Sequence, residues 1–232
     1  VELYLIRHGQ SANNATEETG QRVCDPPLTE AGRIQARLVA ERLRDLGWTR
    51  PPPRNDGNGL RLTRLYASPM LRALETAEAI RQATGLISYV WADVHEQGGI
   101  WLDSGDGRGQ VGLPGIGRAE MRERFPHFVL PVEVREEGWW NRPWEDEASA
   151  YARAQRVAEE LRELAGSDER VGIVSHGGFG SFLIDVLLGL PFVAYQRFSH
   201  HNTSITRVDL ASGAVRLRFS NRTDHLPGEL IT

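Results

Sequence analysis

The stretch LYLIRHGQSANN, residues 3–14, decides the fold. Leu3 to Ile6 are apolar, and the run then ends on Arg7, His8 and Gly9. A short apolar run bounded by polar residues and glycine reads as a buried strand. An arginine beside a histidine at its end is either ordinary polar punctuation or chemistry mounted on a rigid edge. A second stretch bears on the choice. GIVSHGG, residues 172–178, is another apolar strand, ending in Ser175 and His176, with two glycines leading into a helix. Ligands of open parallel sheets bind beyond the carboxyl ends of the strands, so both histidines are expected at one edge. Glycine after each lets the backbone turn tightly and lets a substrate approach.

Outward from these two stretches, strands alternate with helices. PLTEAGRIQARLVAERLRDLG (27–47) predicts a helix with Thr29 as N-cap and Gly47 as its stop. WTRPPPRNDGNG (48–59) is turn-rich and predicts a surface excursion. LRLTRLYAS (60–68) returns as a strand. SPMLRALETAEAIRQATG (68–85) follows as a helix, with Ser68 as cap, Pro69 at the first position and Gly85 closing it. Residues 86–92 read as a strand. A Gly/Trp-rich insertion of about 93–146 lacks a sustained period, apart from a helical piece near Arg118–Arg124, and is expected to form a lid or pocket wall. A helix from about Trp144 to Leu164, the strand RVGIVSH and the apolar helix GSFLIDVLLGL come next. TSITRVDL and AVRLRFS, joined by ASG, predict an edge hairpin. The expected architecture is therefore α/β: one domain over 1–232, with a mostly parallel sheet covered by helices on both faces.

Composition narrows the partners. The 232 residues carry 40% hydrophobic and 25% charged side chains, as in globular proteins, and could bury one large core. The net charge of −4 leaves no basic footprint for nucleic acid or for an anionic membrane. Every basic residue is arginine, so lysine-based chemistry is excluded. The single cysteine, Cys24, excludes an internal disulfide and suggests a reducing compartment. With no apolar run near ~20 residues and no leader-like start, the cytoplasm is the expected location. The edge hairpin permits a homodimer without requiring one.

One strand-end histidine is ordinarily structural, and Arg7 alone is an ordinary salt-bridge partner. Two such histidines, each followed by glycine, with Arg7 beside the first and Arg72 opening an intervening helix, are harder to dismiss. That helix start offers free N–H groups and a positive dipole end, and Arg72 adds a charged fork; together they suit phosphate. A metal site is the competing reading, but no H-x-H or H-E-x-x-H spacing occurs. Adjacent His95 and Glu96 cannot face one metal from a regular strand.

The chain resembles the histidine phosphatase superfamily, in its phosphoglycerate-mutase-like branch. Arg7-His8-Gly9 with Ser11 and Asn14 is similar to that family's R-H-G-x-S-x-x-N. PLTEAGRIQA is similar to P-L-T-x-x-G-x-x-Q-A, SPMLRALETA to S-x-x-x-R-A-x-x-T-A, and VSHGG to the second-histidine motif. HNTSITRVDL and NRTDHL look like its closing segments. The resemblance implies a three-layer α/β/α sandwich, with His8 attacking phosphorus to become phosphohistidine. It also implies that Arg7, Arg72, His176 and Asn14 hold the phosphoryl oxygens, and that no metal or cofactor is required.

Physical chemistry points the same way. A phosphomonoester carries about −1.5 to −2 charges near neutral pH, and a neutral nucleophile approaches it only where cations offset that charge. Two arginines and a protonated His176 would meet that need. His8 must be neutral at its attacking nitrogen, so its other nitrogen is expected on an acceptor such as a backbone carbonyl. The leaving oxygen needs an acid. Glu96 in DVHEQGG matches the family position for one, with Asp93 and Asp103 as alternatives, and His95 is expected to be structural.

After the acid, mutases of this family carry a stretch with tyrosine, glycine and lysine. QGGIWLDSGDGRGQVGLPG stands there instead, without lysine, which favours hydrolysis over mutase-type phosphotransfer. Mutase activity and a phospholigand-binding non-enzyme are the two alternatives. EEGWWNRPWEDE (136–147) holds three of the six tryptophans. Most of them are expected to anchor the insertion. Trp139, Trp140 or Trp144 could line the pocket above Glu96, Arg142 and Arg22 could hold a second anionic group, and Ser11 is a further candidate contact to substrate. The substrate expected is a small phosphorylated molecule.

Overall fold

The first strand, β1 (Glu2–Arg7), buries both faces. Tyr4 and Ile6 enter one core, while Leu3 and Leu5 enter the other. A strand buried on both sides belongs inside a sheet covered by helices on each face. In the computed structural model, which describes residues 1–15, 22–45, 62–107 and 109–232, that is its place.

After β1 come the single turn α1 (Ala12–Ala15), α2 (Glu30–Arg44), β2 (Arg64–Ala67), α3 (Leu71–Thr84) and β3 (Ser88–Val90). A two-strand ribbon, β4 (Trp101–Asp103) and β5 (Gln110–Gly112), precedes α4 (Arg118–Arg124) and β6 (Phe128–Val129). The chain then runs through α5 (Glu147–Glu163), β7 (Arg170–Ser175), α6 (Gly177–Leu187), β8 (Ile205–Ala211) and β9 (Ala214–Arg222). Seven strands form one sheet in the order β6-β3-β2-β7-β1-β8-β9. Neighbours from β6 through β1 pair in parallel, whereas β8 is antiparallel to both β1 and β9. The predicted hairpin therefore closes one edge, turning at Gly213 with φ of 73°.

The helices complete three layers. Val39 and Leu43 of α2 and Leu74 and Ile80 of α3 fill one core; Val157 and Leu161 of α5 and Phe179 and Phe182 of α6 fill the other. Each such side chain contributes roughly 1.5–3 kcal/mol by leaving water.

Local signals were good guides to α2. Thr29 Oγ1 accepts from Gly32 N at 3.0 Å, as expected of an N-cap. The expected stop at Gly47 and the 48–59 excursion lie outside the described residues. The start of α3 differs from expectation. The helix begins at Leu71, not Pro69, and its N-cap position is Met70 without a side-chain cap bond. Asp25, from the loop before α2, supplies the missing acceptor: its Oδ1 takes the Leu71 N–H at 3.0 Å. Gly85 closes α3 in the left-handed region, as expected. α5 begins at Glu147 rather than Trp144, because Asp146 Oδ1 accepts from Ser149 N at 2.7 Å and caps it there.

The 93–146 segment is packed against the sheet edge. β6 extends the main sheet, and Ile100, Ile116, Met121, Phe125, Val134, Trp139 and Trp140 join the same core as α2 and α3. Among the described residues, no helix is long and apolar enough to cross a membrane.

Candidate active site

The register of adjacent strands brings the two histidines together. β1 pairs with β7 so that Arg7 lies opposite Ser175, and the next residue on each strand is a histidine. Their rings lie 5.0 Å apart, centroid to centroid, and both are buried. On the far side of β7, Ala67 of β2 pairs with Val174. Ser68 follows it, and its hydroxyl is 2.8 Å from His176 Nε2. Ser68 was read from sequence only as a helix cap.

His8 is held from several directions. Its Nδ1 donates to the Gly9 carbonyl at 2.7 Å, which leaves Nε2 as the unprotonated nitrogen. Arg72 Nε donates to that Nε2 at 3.1 Å. The His8 carbonyl accepts from Asn202 Nδ2 at 3.0 Å and from Thr203 N at 3.2 Å. Thr203 holds φ of 56°, a conformation that β-branched residues rarely adopt, where it meets the His8 backbone. Burial first, then the charges of Arg72 and Arg7, keep the His8 imidazole well below the ordinary histidine range.

Arg72 projects from the first turn of α3 and is itself buried. Burial weakens its hold on the proton, and the nearby carboxylates of Asp25 and Glu96 oppose that. Asp25 is pushed up to about 6 by burial, against the pull of Arg72 and the Leu71 N–H. One amide of the α3 start, expected to be free for phosphate, is therefore already engaged by Asp25. Thr76 ties the helix to the loop after His8: its Oγ1 donates to the Arg72 carbonyl at 2.7 Å and accepts from Gly9 N at 3.0 Å. Gly9 is required for packing, since a Cβ there would stand 2.5 Å from the Gly32 carbonyl oxygen. Arg7 Nη1 donates to the His200 carbonyl.

His176 departs from one expectation. Burial, followed by the charge of Arg72 and the neighbouring His8, holds it well below the ordinary histidine range, so the protein's own groups keep it neutral.

Glu96 follows the one-turn helix Ala92–Val94 and reaches the start of α6. Its Oε1 accepts from Phe179 N at 2.8 Å and from Gln97 N at 3.0 Å, and its Oε2 from Gly178 N at 3.2 Å. A Cβ on residue 178 would come within 2.8 Å of Glu96 Oε1, so Gly178 makes room for the Glu96 carboxylate. At Gly177 the nearest atom would be 3.6 Å away, an ordinary contact.

The other residues singled out from sequence divide into three groups. Ser11 is buried, and its hydroxyl donates to Asn14 Oδ1 at 3.0 Å; that oxygen lies 3.4 Å from Asn202 Nδ2, which bonds the His8 carbonyl. Arg22 is largely exposed, with its guanidinium 3.9 Å above the Trp101 ring. Partial burial lowers its proton affinity while the Glu96 charge raises it, so Arg22 stands within electrostatic reach of Glu96. Trp140 is buried in the core with its ring 4.7 Å from His95, and exposed Arg142 lies 5.2 Å from the Trp140 ring. His95 Nδ1 bonds the Ala92 carbonyl at 2.7 Å, a structural contact. Among the described residues, no group of three or more His, Cys, Asp or Glu side chains is arranged to hold a metal ion.

The architecture is the histidine-phosphatase fold. Mycobacterial hydrolase 1 superposes with a TM-score of 0.62 over 96% of this chain and 98% of its own, at 24% identity. A phosphoserine phosphatase variant from Entamoeba histolytica, in complex with phosphoserine, gives 0.62 over 97% and 99%, at 22% identity. A mycobacterial glucosyl-3-phosphoglycerate phosphatase in complex with VO3 gives 0.61 over 96% and 99%, at 23% identity. The chain belongs to the histidine phosphatase superfamily (branch 1), whose family model matches residues 3–223. A probable phosphoglycerate mutase GpmB from Enterobacter sp. (strain 638) is 31% identical, over 93% of this chain and 90% of that protein.

Proposed function

We propose that this protein is a metal-independent phosphatase that hydrolyses a small phosphomonoester through phosphohistidine at His8. The observation that carries the reading is the tautomer of His8. With Nδ1–H committed to the Gly9 carbonyl, the Nε2 lone pair faces Arg72. It can attack phosphorus without first losing a proton.

The chemistry then balances in two steps. Nε2 forms a bond to phosphorus as the P–O bond to the leaving alcohol breaks, and that oxygen takes a proton from the Glu96 carboxyl. Water next attacks the phosphohistidine phosphorus and gives a proton to Glu96. The N–P bond breaks, inorganic phosphate departs, and His8 and Glu96 return to their starting forms. Arg7 and Arg72 offset the charge on the equatorial oxygens, assisted by Asn14. His176, neutral in the protein alone, gains a proton when the phosphoryl dianion lies beside it. The 93–146 segment forms the pocket wall, and Arg22 and Arg142 hold a second anionic group on the substrate.

Phosphoglycerate mutase-type transfer is the second reading, favoured by the relatives that carry that name. The lysine-free stretch after Glu96 supports hydrolysis instead. A metal-free phosphate-release screen separates them, run over sugar phosphates, phosphoglycerates, nucleotides and phosphoamino acids. Release by wild type and its loss in His8→Ala, on the order of 10⁶-fold as for removal of a covalent nucleophile, supports the phosphatase. Interconversion of 2- and 3-phosphoglycerate outpacing release overturns it.

A further inference from the structure

On α5 the buried positions are Ala150, Arg153, Ala154, Val157, Ala158 and Leu161. An arginine in that inward-facing row is unexpected, since arginine on an amphipathic helix ordinarily faces water. Arg153 is only 1% exposed. All three nitrogens of its guanidinium are engaged. Nε and Nη2 grip the two Glu145 carboxylate oxygens at 2.9 and 2.5 Å, and Nη1 donates to the Asp93 and His95 carbonyls at 2.6 and 3.0 Å. The same group lies 4.3 Å over the Phe179 ring.

Those partners surround Glu96. Asp93 and His95 precede it in the chain. Gln97 follows it and donates through Nε2 to the Glu145 carbonyl at 3.2 Å. Phe179 supplies one of the amides on which the Glu96 carboxylate rests. Arg153 therefore touches both the turn that carries Glu96 and the helix start that receives it. Glu145, held at about 2 by Arg153 despite its burial, stays ionised and keeps the clamp closed across ordinary pH.

We propose that Arg153, locked to Glu145, is the positioning residue for Glu96, aiming its carboxyl at the leaving oxygen without touching substrate. The inference rests on the acid–base reading of Glu96. A lysine at 153 could hold one carbonyl or one carboxylate oxygen but not the whole set, because it lacks the planar fork.

The test is a leaving-group series. Wild type, Arg153→Lys, Glu145→Gln and Glu96→Gln are compared on 2,4-dinitrophenyl, 4-nitrophenyl and simple alkyl phosphates, with folding checked by circular dichroism and thermal unfolding. A good leaving group departs without a proton, whereas an alkoxide requires one. Arg153→Lys is expected to lose about 10–100-fold in kcat/KM on alkyl phosphates, the scale of a small misplacement. It should stay within about threefold of wild type on dinitrophenyl phosphate. Glu145→Gln, which leaves the arginine in place, should shift the slope of rate against leaving-group pKa in the same direction by less. Arg153→Lys added to Glu96→Gln should cost little more. A wild-type slope in both clamp variants, or an equal loss on every substrate, overturns the proposal while leaving Glu96's role intact. A wild-type slope in Glu96→Gln removes the acid–base reading and this proposal with it. Should Arg153→Lys fail to fold, Glu145→Gln decides by the same criteria.

Discussion

His8 and His176 follow neighbouring strands whose register makes them adjacent, whereas Glu96 sits on a turn after β3 tied down by Arg153 of α5. The first arrangement is carried by backbone hydrogen bonds in the middle of a seven-stranded sheet. The second depends on a few long side chains and on the absence of a Cβ at Gly178. The histidine pair and Glu96 therefore differ in what disturbs them. The pair at the strand ends resists change in its surroundings, while Glu96 can be misplaced from a distance.

Next to the loss expected of His8→Ala, the largest effect is expected at Glu96. Glu96→Gln should lower kcat on alkyl phosphates by about 10²–10⁴-fold, the usual worth of general acid–base assistance, with a smaller loss on activated aryl phosphates. Equal activity of the variant on both classes would show that the turn carries no acid. Next comes the glycine pair. Gly178→Ala places a methyl group against the Glu96 carboxylate and should reduce kcat on the order of 10–100-fold, whereas Gly177→Ala, whose methyl group would meet only ordinary contacts, should change kcat within about twofold. Steady-state rates for the two variants that are alike would erase the distinction between them.

Smaller effects test the rim and the buried histidines. Arg22→Ala should raise KM about tenfold, or about 1.4 kcal/mol, for substrates with a second anionic group and leave singly charged ones unaffected. Uniform KM values across both substrate types would remove Arg22 from recognition. Stability should also depend on acid. His8, His95, His176, His200 and His225 are all held below the ordinary value of 6.5, His200 and His225 at about 4, with burial the leading cause. The unfolded chain then binds protons below about pH 6.5 that the folded chain refuses. Stability from these groups is full above that pH and falls as the pH drops through it. His200 and His225, held at about 4, each cost on the order of 1–2 kcal/mol of that stability by pH 5. Urea midpoints measured from pH 7.5 to 5 should fall steadily; a constant midpoint would contradict the neutral, buried state of the histidines.

Much of this was legible in the sequence because the decisive signals are local. Apolar runs ending in Arg7-His8-Gly9 and Ser175-His176-Gly177 mark two strand ends, and the parallel α/β pattern sends them to one edge. The three-layer sheet, the hairpin, the Thr29 cap and the Gly85 stop follow from the same short-range reasoning. What stayed hidden depends on side chains distant in the chain. Asp25 caps a helix 46 residues away, Ser68 meets His176 across 108, and Asn202 reaches the His8 carbonyl across 194. Ser68 and Asn202 lay within segments matched to the family, but no spacing rule states what they touch. Arg153 carried a clue, an arginine in phase with the apolar face of its helix. The neutral state of His176 was hidden for another reason: two adjacent buried imidazoles beside Arg72 cannot easily accept charge until an anion joins them.

The central claim is covalent, and it is tested most directly by trapping. Wild type and His8→Ala would be mixed with phosphorus-labelled substrate, quenched within a turnover into alkali, and the label located by mass spectrometry of peptides. An acid-labile, alkali-stable phosphoryl group on His8, absent from the variant, is the predicted result. Rapid phosphate release by wild type with no label on His8 at any quench time, together with unchanged turnover in His8→Ala, would contradict it.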